Sequence, residues 1–300
     1  MYKHRITVFT PTYNRAYIIT KLFTSLCKQT FKDFEWLVVD DGSTDNTEIL
    51  FDEWIANSGL VIRYYKTQNG GKHRAINYGL DRAEGEIFFT VDSDDELTVD
   101  ALEKVDKWFR DIESYPELCG IVANRGFTPD YTPNEIFAEQ YLDKSFADMH
   151  TYCENGKKVL DGERAIIFYT SFHKQYRFPE FPGEKFLTEA VIYNRIAHDG
   201  YLVRFYNDII WLYEYQDDGL TKAGASIYVQ NPKGYGLWIK EKLQFSKYCL
   251  KERIKVYYQF TCDLIYSYDI QMIAECIGVP QIEIAILYYF HKIWRKIKGK

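Results

Sequence analysis

The chain has 300 residues, which is enough for one large domain or for one domain with an appendage. An apolar fraction of 46% excludes a disordered chain, and a net charge of −6 argues against nucleic acid as the main partner. Aromatic residues make up 17% of the chain, including 26 Tyr, which suits sugar stacking, a partner interface or a membrane-facing edge without deciding among them.

Six cysteines are scattered along the chain without a C-x-x-C pair, and the first residues, MYKHRITVF, lack the architecture of a signal peptide. These features predict reduced thiols and a cytoplasmic protein. The longest apolar run, residues 284–290, is far shorter than the ~20 residues of a membrane-spanning helix.

Short apolar segments alternate with helical patterns through the first half of the chain. The predicted strands lie at residues 6–9, 36–39, 61–65, 87–91 and 120–123. This alternation predicts an α/β fold with a mixed, mostly parallel sheet that is flanked by helices. Further along, the pattern predicts a helix at 188–197, strands at 203–206 and 209–213, and helices from residue 235 onward.

Four of the predicted strands run into polar turns. The turns read TPTYNR at 10–15, DDGSTD at 40–45, NGGK at 69–72 and DSDD at 92–95. Because right-handed β-α-β connections bring the carboxyl ends of parallel strands to one edge of a sheet, we expect these turns to line one ligand crevice. The alternative for DSDD by itself is a polar turn that caps the next helix.

The first three turns carry groups that would suit a nucleotide. Tyr13 offers a ring face to a base, and Asp41 can accept an N–H group from one. Gly70 and Gly71 permit close backbone approach, and Lys72 offers a cation to a diphosphate.

Two carboxylates one residue apart in the fourth turn indicate a cation site. The carboxylate of Asp92 can accept hydrogen bonds from ribose hydroxyls. Asp94 can hold Mg²⁺ or Mn²⁺, ions that prefer oxygen ligands and are often shared with substrate phosphates. Glu189, near the start of a predicted helix and flanked by apolar residues, is the candidate general base for an incoming nucleophile. The alternative for Glu189 is an ordinary first-turn acid that the helix dipole favours.

Together these segments resemble glycosyltransferase family 2, whose members have the GT-A fold. The matching segments TPTYNR, DDGSTDNT, NGGKHRAINYG and VDSDD occur in the family's order within residues 1–125. The resemblance implies an inverting enzyme that uses a nucleotide-diphosphate sugar with Mn²⁺ or Mg²⁺. It further implies that Asp94 contacts the metal. The residues that it places at the nucleotide are Pro11, Thr12, Tyr13, Arg15, Asp41, Lys72, Asp92 and Ser93.

The family's base commonly lies in a Glu-Asp pair, with an Arg seven residues after the Glu. Here Glu189 aligns with the Asp and Arg195 with the Arg, whereas Thr188 stands in the place of the Glu. Glu184 is the competing candidate base and would otherwise line the acceptor cleft. The segment DDGLT at 217–221 resembles the family's lid over the donor diphosphate, and a plain surface turn is its alternative.

The expected function is transfer of a sugar, UDP-linked by family habit, to a hydroxyl of a glycan or glycolipid acceptor in surface polysaccharide or glycolipid synthesis. A sugar-phosphate nucleotidyltransferase is disfavoured because such enzymes carry a G-x-G-T-R-like loop where this chain has TPTYNR. A rival of another class is a non-catalytic nucleotide-sugar-binding or scaffold protein, which detection of sugar turnover would exclude.

We expect a GT-A domain at residues 1–220, with a nucleotide-binding half at 1–125 and an acceptor half at 126–220, and a helical C-terminal extension at 221–300. Two interpretations of that extension stay open. Its helices pack on the GT-A domain and complete its core, or they lie with the basic end of the last helix on the inner face of an anionic membrane. The two stripes are Leu250, Ile254 and Tyr257, and Ile282, Ile286, Tyr289, Ile293 and Ile297.

Overall fold

The computed structural model describes residues 2–216 and 224–297. The chain divides into two compact units, one of Met1–Arg177 with Ile196–Gln216 and one of Phe178–Arg195 with Asp217–Lys300. The domain boundary expected at residue 220 lies outside the described residues and stays a prediction.

A mixed sheet organises the first unit, which confirms the predicted fold class. Over the described residues its strands are β1 His4–Thr12, β2 Phe34–Asp40, β3 Ile62–Lys66, β4 Gly85–Thr90, β5 Glu96–Leu97, β6 Leu118–Gly126, β7 Leu142–Lys144, β8 Arg164–Tyr169 and β9 Leu202–Leu212. The strand order is β3-β2-β1-β4-β8-β6-β9-β5, and β7 pairs with β9. Strands β3, β2, β1 and β4 are mutually parallel, so their carboxyl ends meet at one edge, the carboxyl edge.

Helices cover this sheet as the alternation predicts. They are α1 Thr20–Cys27, α2 Thr47–Asn57, α3 Lys72–Arg82, α4 Ala101–Ile112 and α5 Thr170–His173. Helix α6, Ala190–His198, belongs mostly to the second unit. Helix α4 buries Leu102, Val105, Phe109 and Ile112, which recur at the three- and four-residue spacing of one helix face. Trp36 of β2 is fully buried in the same core, where it stacks on Trp54 of α2.

The middle of the chain differs from the sequence-based expectation. The two strands expected at 203–206 and 209–213 form the single strand β9, whose pairing with β6 contains register shifts near Asn124. Strand β8, which the pattern does not predict, lies antiparallel between β4 and β6. Its sequence, RAIIFY, is a short apolar run inside an irregular, aromatic-rich segment, so no alternation marks it.

The second unit is helical. Its described helices include α7 Ser226–Gln230, α8 Pro232–Phe245, α9 Leu250–Leu264, α10 Ile270–Ile277 and α11 Gln281–Ile297. Its core contains Tyr235, Leu243, Phe260, Ile273 and Ile284. No helix in the described ranges is both long and apolar enough to cross a membrane.

Most of the described side chains in the apolar stripes of α9 and α11 lie outside that core. Leu250 and Ile254 of α9 are exposed, and so are Ile282, Ile286, Tyr289 and Ile293 of α11. Tyr257 of α9, by contrast, packs against that core. The interpretation that the helices complete the core of the GT-A domain stays a prediction. The helical spacing does mark a face, but Ile284, on the opposite side of α11, is the residue that packs inward.

A buried ion pair joins the loop after β4 to strands β6 and β9. The carboxylate of Asp95, 4% exposed, accepts hydrogen bonds from Arg125 Nη2 at 2.6 Å and from Trp211 Nε1 at 2.7 Å. The Arg125 guanidinium also lies 4.2 Å from the centre of the Trp211 ring. This arrangement fixes the last residue of the DSDD turn against the sheet.

Burial raises the pKa of Asp95 to about 7. Above that pH, we expect Arg125→Met to lower the free energy of unfolding by about 3 kcal/mol, because it leaves the buried Asp95 carboxylate without its cation. Adding Asp95→Asn should recover part of the loss, since the amide oxygen still accepts from Trp211 without a charge. Urea denaturation measures both. Arg110→Met, which removes an exposed pair with Asp106, is the matched control and should cost less than about 1 kcal/mol. Equal losses for the two single variants would contradict a structural role of the Asp95–Arg125 pair.

Candidate active site

The four polar turns follow the four neighbouring parallel strands β1, β2, β3 and β4 at the carboxyl edge. Pro11 and Thr12 of β1 are in register with Val39 and Asp40 of β2, and Val91, just after β4, donates its N–H to Phe9 O at 2.8 Å. The sheet therefore brings the turns together as the sequence predicts.

Asn14 joins the first turn to the second. Its backbone N–H donates to Ser43 Oγ at 2.8 Å, and its side-chain oxygen accepts from the N–H of Thr44 at 2.8 Å. Asn14 has a φ of +53°, a conformation that Asn tolerates better than most residues. Asp45 adds a third link by accepting from the N–H of Ala16 at 3.0 Å.

Asp41 joins the second turn to the third. It is 6% exposed, and its two carboxylate oxygens accept from the N–H groups of Gly70 and Gly71, each at 2.7 Å. Gly71 has a φ of +94°, which favours glycine at this position. These bonds set the backbone that leads into α3. The predicted contact of Asp41 with a base stays a prediction.

Lys72, the first residue of α3, joins the third turn to the fourth. Its Nζ lies 2.8 Å from Asp92 Oδ1. Burial raises the pKa of Asp92, but the positive charges of Lys72, Arg125 and Arg15 outweigh burial, so the pKa lies below its usual value. Asp92 is thus held as a carboxylate by cations from three separate segments.

Asp94 has a different environment from Asp92. Burial, together with the negative charge of Asp92, raises its pKa, and Arg15 opposes this rise from 4.0 Å. A cation close to Asp92 and Asp94 would relieve their repulsion, and their oxygen atoms suit Mg²⁺ or Mn²⁺. Within residues 2–216 and 224–297, no three His, Cys, Asp or Glu side chains form a complete metal site. The donor set therefore fits a metal whose remaining ligands come from elsewhere, such as phosphate oxygens.

The other predicted nucleotide residues lie along the same turns. Tyr13 is 48% exposed, Pro11 and Arg15 are half-buried, and Ser93 is buried. Thr12 is also buried, and its hydroxyl has no hydrogen-bond partner among the described residues.

Sequence reasoning missed two residues that support this site, Arg125 and Trp211. Asp95 directly follows the D-x-D pair and could have been suspected from its position. Its partners are 30 and 116 residues away, so no local pattern connects them to it.

Glu184 and Glu189 belong to the second unit. Glu184 is buried, and its two oxygens accept from Lys233 N and Gly234 N at the start of α8, both at 2.8 Å. Glu189 is half-buried just before α6, and its Oε2 accepts from the hydroxyl of Tyr193 at 3.2 Å. Arg195, in the motif position expected for Arg, makes a bidentate ion pair with Glu241 of α8. The expected lid at 217–221 lies outside the described residues.

The chain resembles characterised transferases over part of its length. It is 38% identical over 137 residues to the poly(ribitol-phosphate) β-N-acetylglucosaminyltransferase TarS of Staphylococcus aureus, a match that covers 45% of this chain and 23% of TarS. It is 37% identical over 100 residues to a GalNAc(5)-diNAcBac-PP-undecaprenol β-1,3-glucosyltransferase of Campylobacter jejuni, covering 33% of this chain and 32% of that protein. The matches thus span about a quarter to a third of these relatives.

Solved structures share the fold. TarS residues 1–349 with UDP-GlcNAc superpose with a TM-score of 0.59 at 19% identity, covering 95% of this chain and 86% of that one. The mannosyltransferase PcManGT of Pyrobaculum calidifontis, in complex with GDP-Man and Mn²⁺, superposes with a TM-score of 0.55 at 19% identity, covering 98% and 81%. The family model for glycosyl transferase family 2 matches residues 7–178, more than half of the chain. The chain belongs to glycosyltransferase family 2.

Proposed function

We propose that the chain is an inverting glycosyltransferase that moves a sugar from a UDP-sugar to an acceptor hydroxyl. The observation that carries the proposal is the connection of the four turns at the carboxyl edge. Asn14, Asp41 and Lys72 each join one turn to the next, and the last link ends at the Asp92–Asp94 pair. Crevices at this edge of an α/β sheet are the usual ligand sites.

The nucleotide would lie along the turns in chain order. The exposed Tyr13 ring offers a stacking face to the base, beside Pro11, Thr12 and Asp41. Ser93 and Asp92 would approach the ribose, whose hydroxyls can donate to a carboxylate that its neighbours keep ionised. Lys72 and Arg15 supply positive charge for the diphosphate.

Asp94, with Asp92 beside it, would hold Mn²⁺ or Mg²⁺. When bound, the ion would neutralise negative charge on the diphosphate as the bond to the sugar breaks. The Mn²⁺ that accompanies GDP-Man in PcManGT supports a metal in this chain as well.

Glu189 is our candidate general base. It would take the proton of the acceptor hydroxyl while the acceptor oxygen forms its bond to the anomeric carbon, on the face opposite the diphosphate. The bond from that carbon to the diphosphate oxygen breaks, and the nucleoside diphosphate leaves with the electron pair. Glu184 is a weaker candidate because both of its oxygens already accept from the start of α8.

The acceptor belongs to surface polysaccharide or glycolipid synthesis in this proposal. The names of two relatives support that class: one glycosylates poly(ribitol-phosphate), and the other acts on an undecaprenol-linked glycan. Because the matches cover only part of those proteins, neither donor sugar nor linkage is carried over.

We expect Asp94→Ala and Glu189→Gln each to remove nearly all transfer, and for Glu189→Gln we expect kcat to fall on the order of 10²- to 10⁴-fold. Only Asp94→Ala should also remove metal-dependent binding of the nucleotide, because Glu189 acts on the acceptor. Radiolabelled UDP-sugar turnover measures the first effect, and calorimetric titration with UDP and Mn²⁺ measures the second. Glu53→Gln, on the exposed face of α2, is the matched control. Full transfer activity in Glu189→Gln would remove that residue from the mechanism.

We further propose that α11 places the chain on an anionic membrane. Ile282, Ile286, Tyr289 and Ile293 form a stripe on one face of α11, each 60–66% exposed. The chain as a whole carries a net charge of −6, yet residues 284–300 contain five basic residues and no acidic one. An exposed apolar stripe with basic residues around it fits the interface of anionic lipids, where a lipid-linked acceptor would lie.

Sedimentation with phosphatidylglycerol vesicles tests this membrane contact. We expect the wild-type chain to pellet with these vesicles but not with phosphatidylcholine vesicles, and Ile286→Asp with Ile293→Asp to reduce pelleting at least tenfold. Ile49→Asp, at a site on α2 that is 64% exposed, is the control and should pellet as wild type does. Unchanged pelleting of the double variant would refute the proposal. So would wild-type self-association through the stripe without vesicle binding.

A further inference from the structure

Three exposed aromatic side chains cluster beyond the ends of β6 and β9. Phe127, Tyr131 and Tyr215 are 40%, 58% and 64% exposed, and the buried Tyr213 lies among them. The ring centre of Phe127 lies 4.8 Å from that of Tyr213, 6.1 Å from that of Tyr131 and 6.2 Å from that of Tyr215. We call Phe127, Tyr131, Tyr213 and Tyr215 the aromatic platform.

The backbone holds the platform in place. Phe127 donates its N–H to Tyr131 O at 3.0 Å, which closes a turn and brings the two rings within 23° of parallel. Tyr213 donates its N–H to Gly126 O at 3.0 Å, which extends the pairing of β6 with β9. Rings that are already ordered lose little conformational freedom when a ligand stacks on them.

The platform adjoins the candidate active site through a short chain of contacts within the first unit. Arg125, which precedes the platform on β6, bonds to Asp95 of the DSDD turn at 2.6 Å. The same guanidinium lies 4.9 Å from the centre of the Tyr213 ring. The Arg125 guanidinium therefore contacts both the DSDD turn and the aromatic platform.

The class of ligand that would bind to exposed aromatic rings at this edge of the sheet follows from the chemistry of the rings. A pyranose ring presents one face of C–H groups, which carry partial positive charge, and a rim of hydroxyls. The C–H face matches the negative face of an aromatic ring, and the hydroxyls match the tyrosine hydroxyls of Tyr131 and Tyr215. A charged ligand such as a polyphosphate would find no such match on these rings.

We infer that the aromatic platform binds the pyranose rings of a glycan acceptor and presents its end to the donor site. This inference rests on the proposed function, because it assigns the glycan to the acceptor side of the same reaction. It adds the pyranose form of the sugars that are bound and the residues that recognise them.

The test is binding to an array of immobilised oligosaccharides. We expect the wild-type chain to bind a subset of pyranose glycans, and Phe127→Ala with Tyr131→Ala and Tyr215→Ala to reduce that binding at least tenfold. Tyr131→Phe with Tyr215→Phe keeps the rings and should retain most of the binding. Tyr2→Ala, which removes an aromatic ring that is 40% exposed at another site, is the matched control.

Calorimetric titration with UDP and Mn²⁺ separates failure of this inference from failure of the proposed function. The triple alanine variant should bind UDP as tightly as the wild type, because the platform does not contact the nucleotide. Absence of any glycan binding by the wild-type chain would overturn the inference, and so would equal binding by the triple variant. If the wild-type chain does not bind UDP, the result would instead count against the proposed donor site.

Discussion

The carboxylate of Asp41 is the constraint on which the rest of the site depends. It is buried at the end of β2 and accepts from the N–H groups of both Gly70 and Gly71. Those bonds satisfy a charge that would otherwise be costly to bury, and they fix where α3 begins. Lys72 is the first residue of that helix, so its contact with Asp92 follows from the position of Asp41. One buried acid thus aligns two turns that are separate in sequence.

The three acids of the DSDD turn lie in different environments, which affect their pKa values and contacts differently. Cations from three segments hold the pKa of Asp92 below its usual value, whereas burial and the charge of Asp92 raise that of Asp94. Asp95 accepts hydrogen bonds from Arg125 and Trp211, which anchor the turn. A cation and a diphosphate would complete the charge balance of the first two acids, while the third acid keeps the turn in place. Within four positions, therefore, two acids are available for the ligand in our proposal and a third acid supports the turn.

The sequence predicted the parts of the fold that local patterns encode. Apolar runs followed by polar turns marked β1 to β4, and their parallel order brought the turns together. The pattern failed where contacts are distant: β8 enters the sheet between two strands from elsewhere in the chain, and Arg125 reaches Asp95 across 30 residues. It also failed for α11, where helical spacing identified an apolar stripe but not which side of the helix packs inward. Periodicity reports that a face exists, and only tertiary packing decides whether the face is buried.

The most direct test of the central claim is calorimetric titration with UDP, GDP, dTDP and CDP, each with and without Mn²⁺. It requires no knowledge of the acceptor or the donor sugar. The account predicts that UDP binds most tightly and that its binding depends on Mn²⁺, because the ion would be shared between the carboxylates of Asp92 and Asp94 and the oxygens of the diphosphate. Absence of binding by all four nucleotides with Mn²⁺ present would contradict the claim that the four linked turns form a donor site.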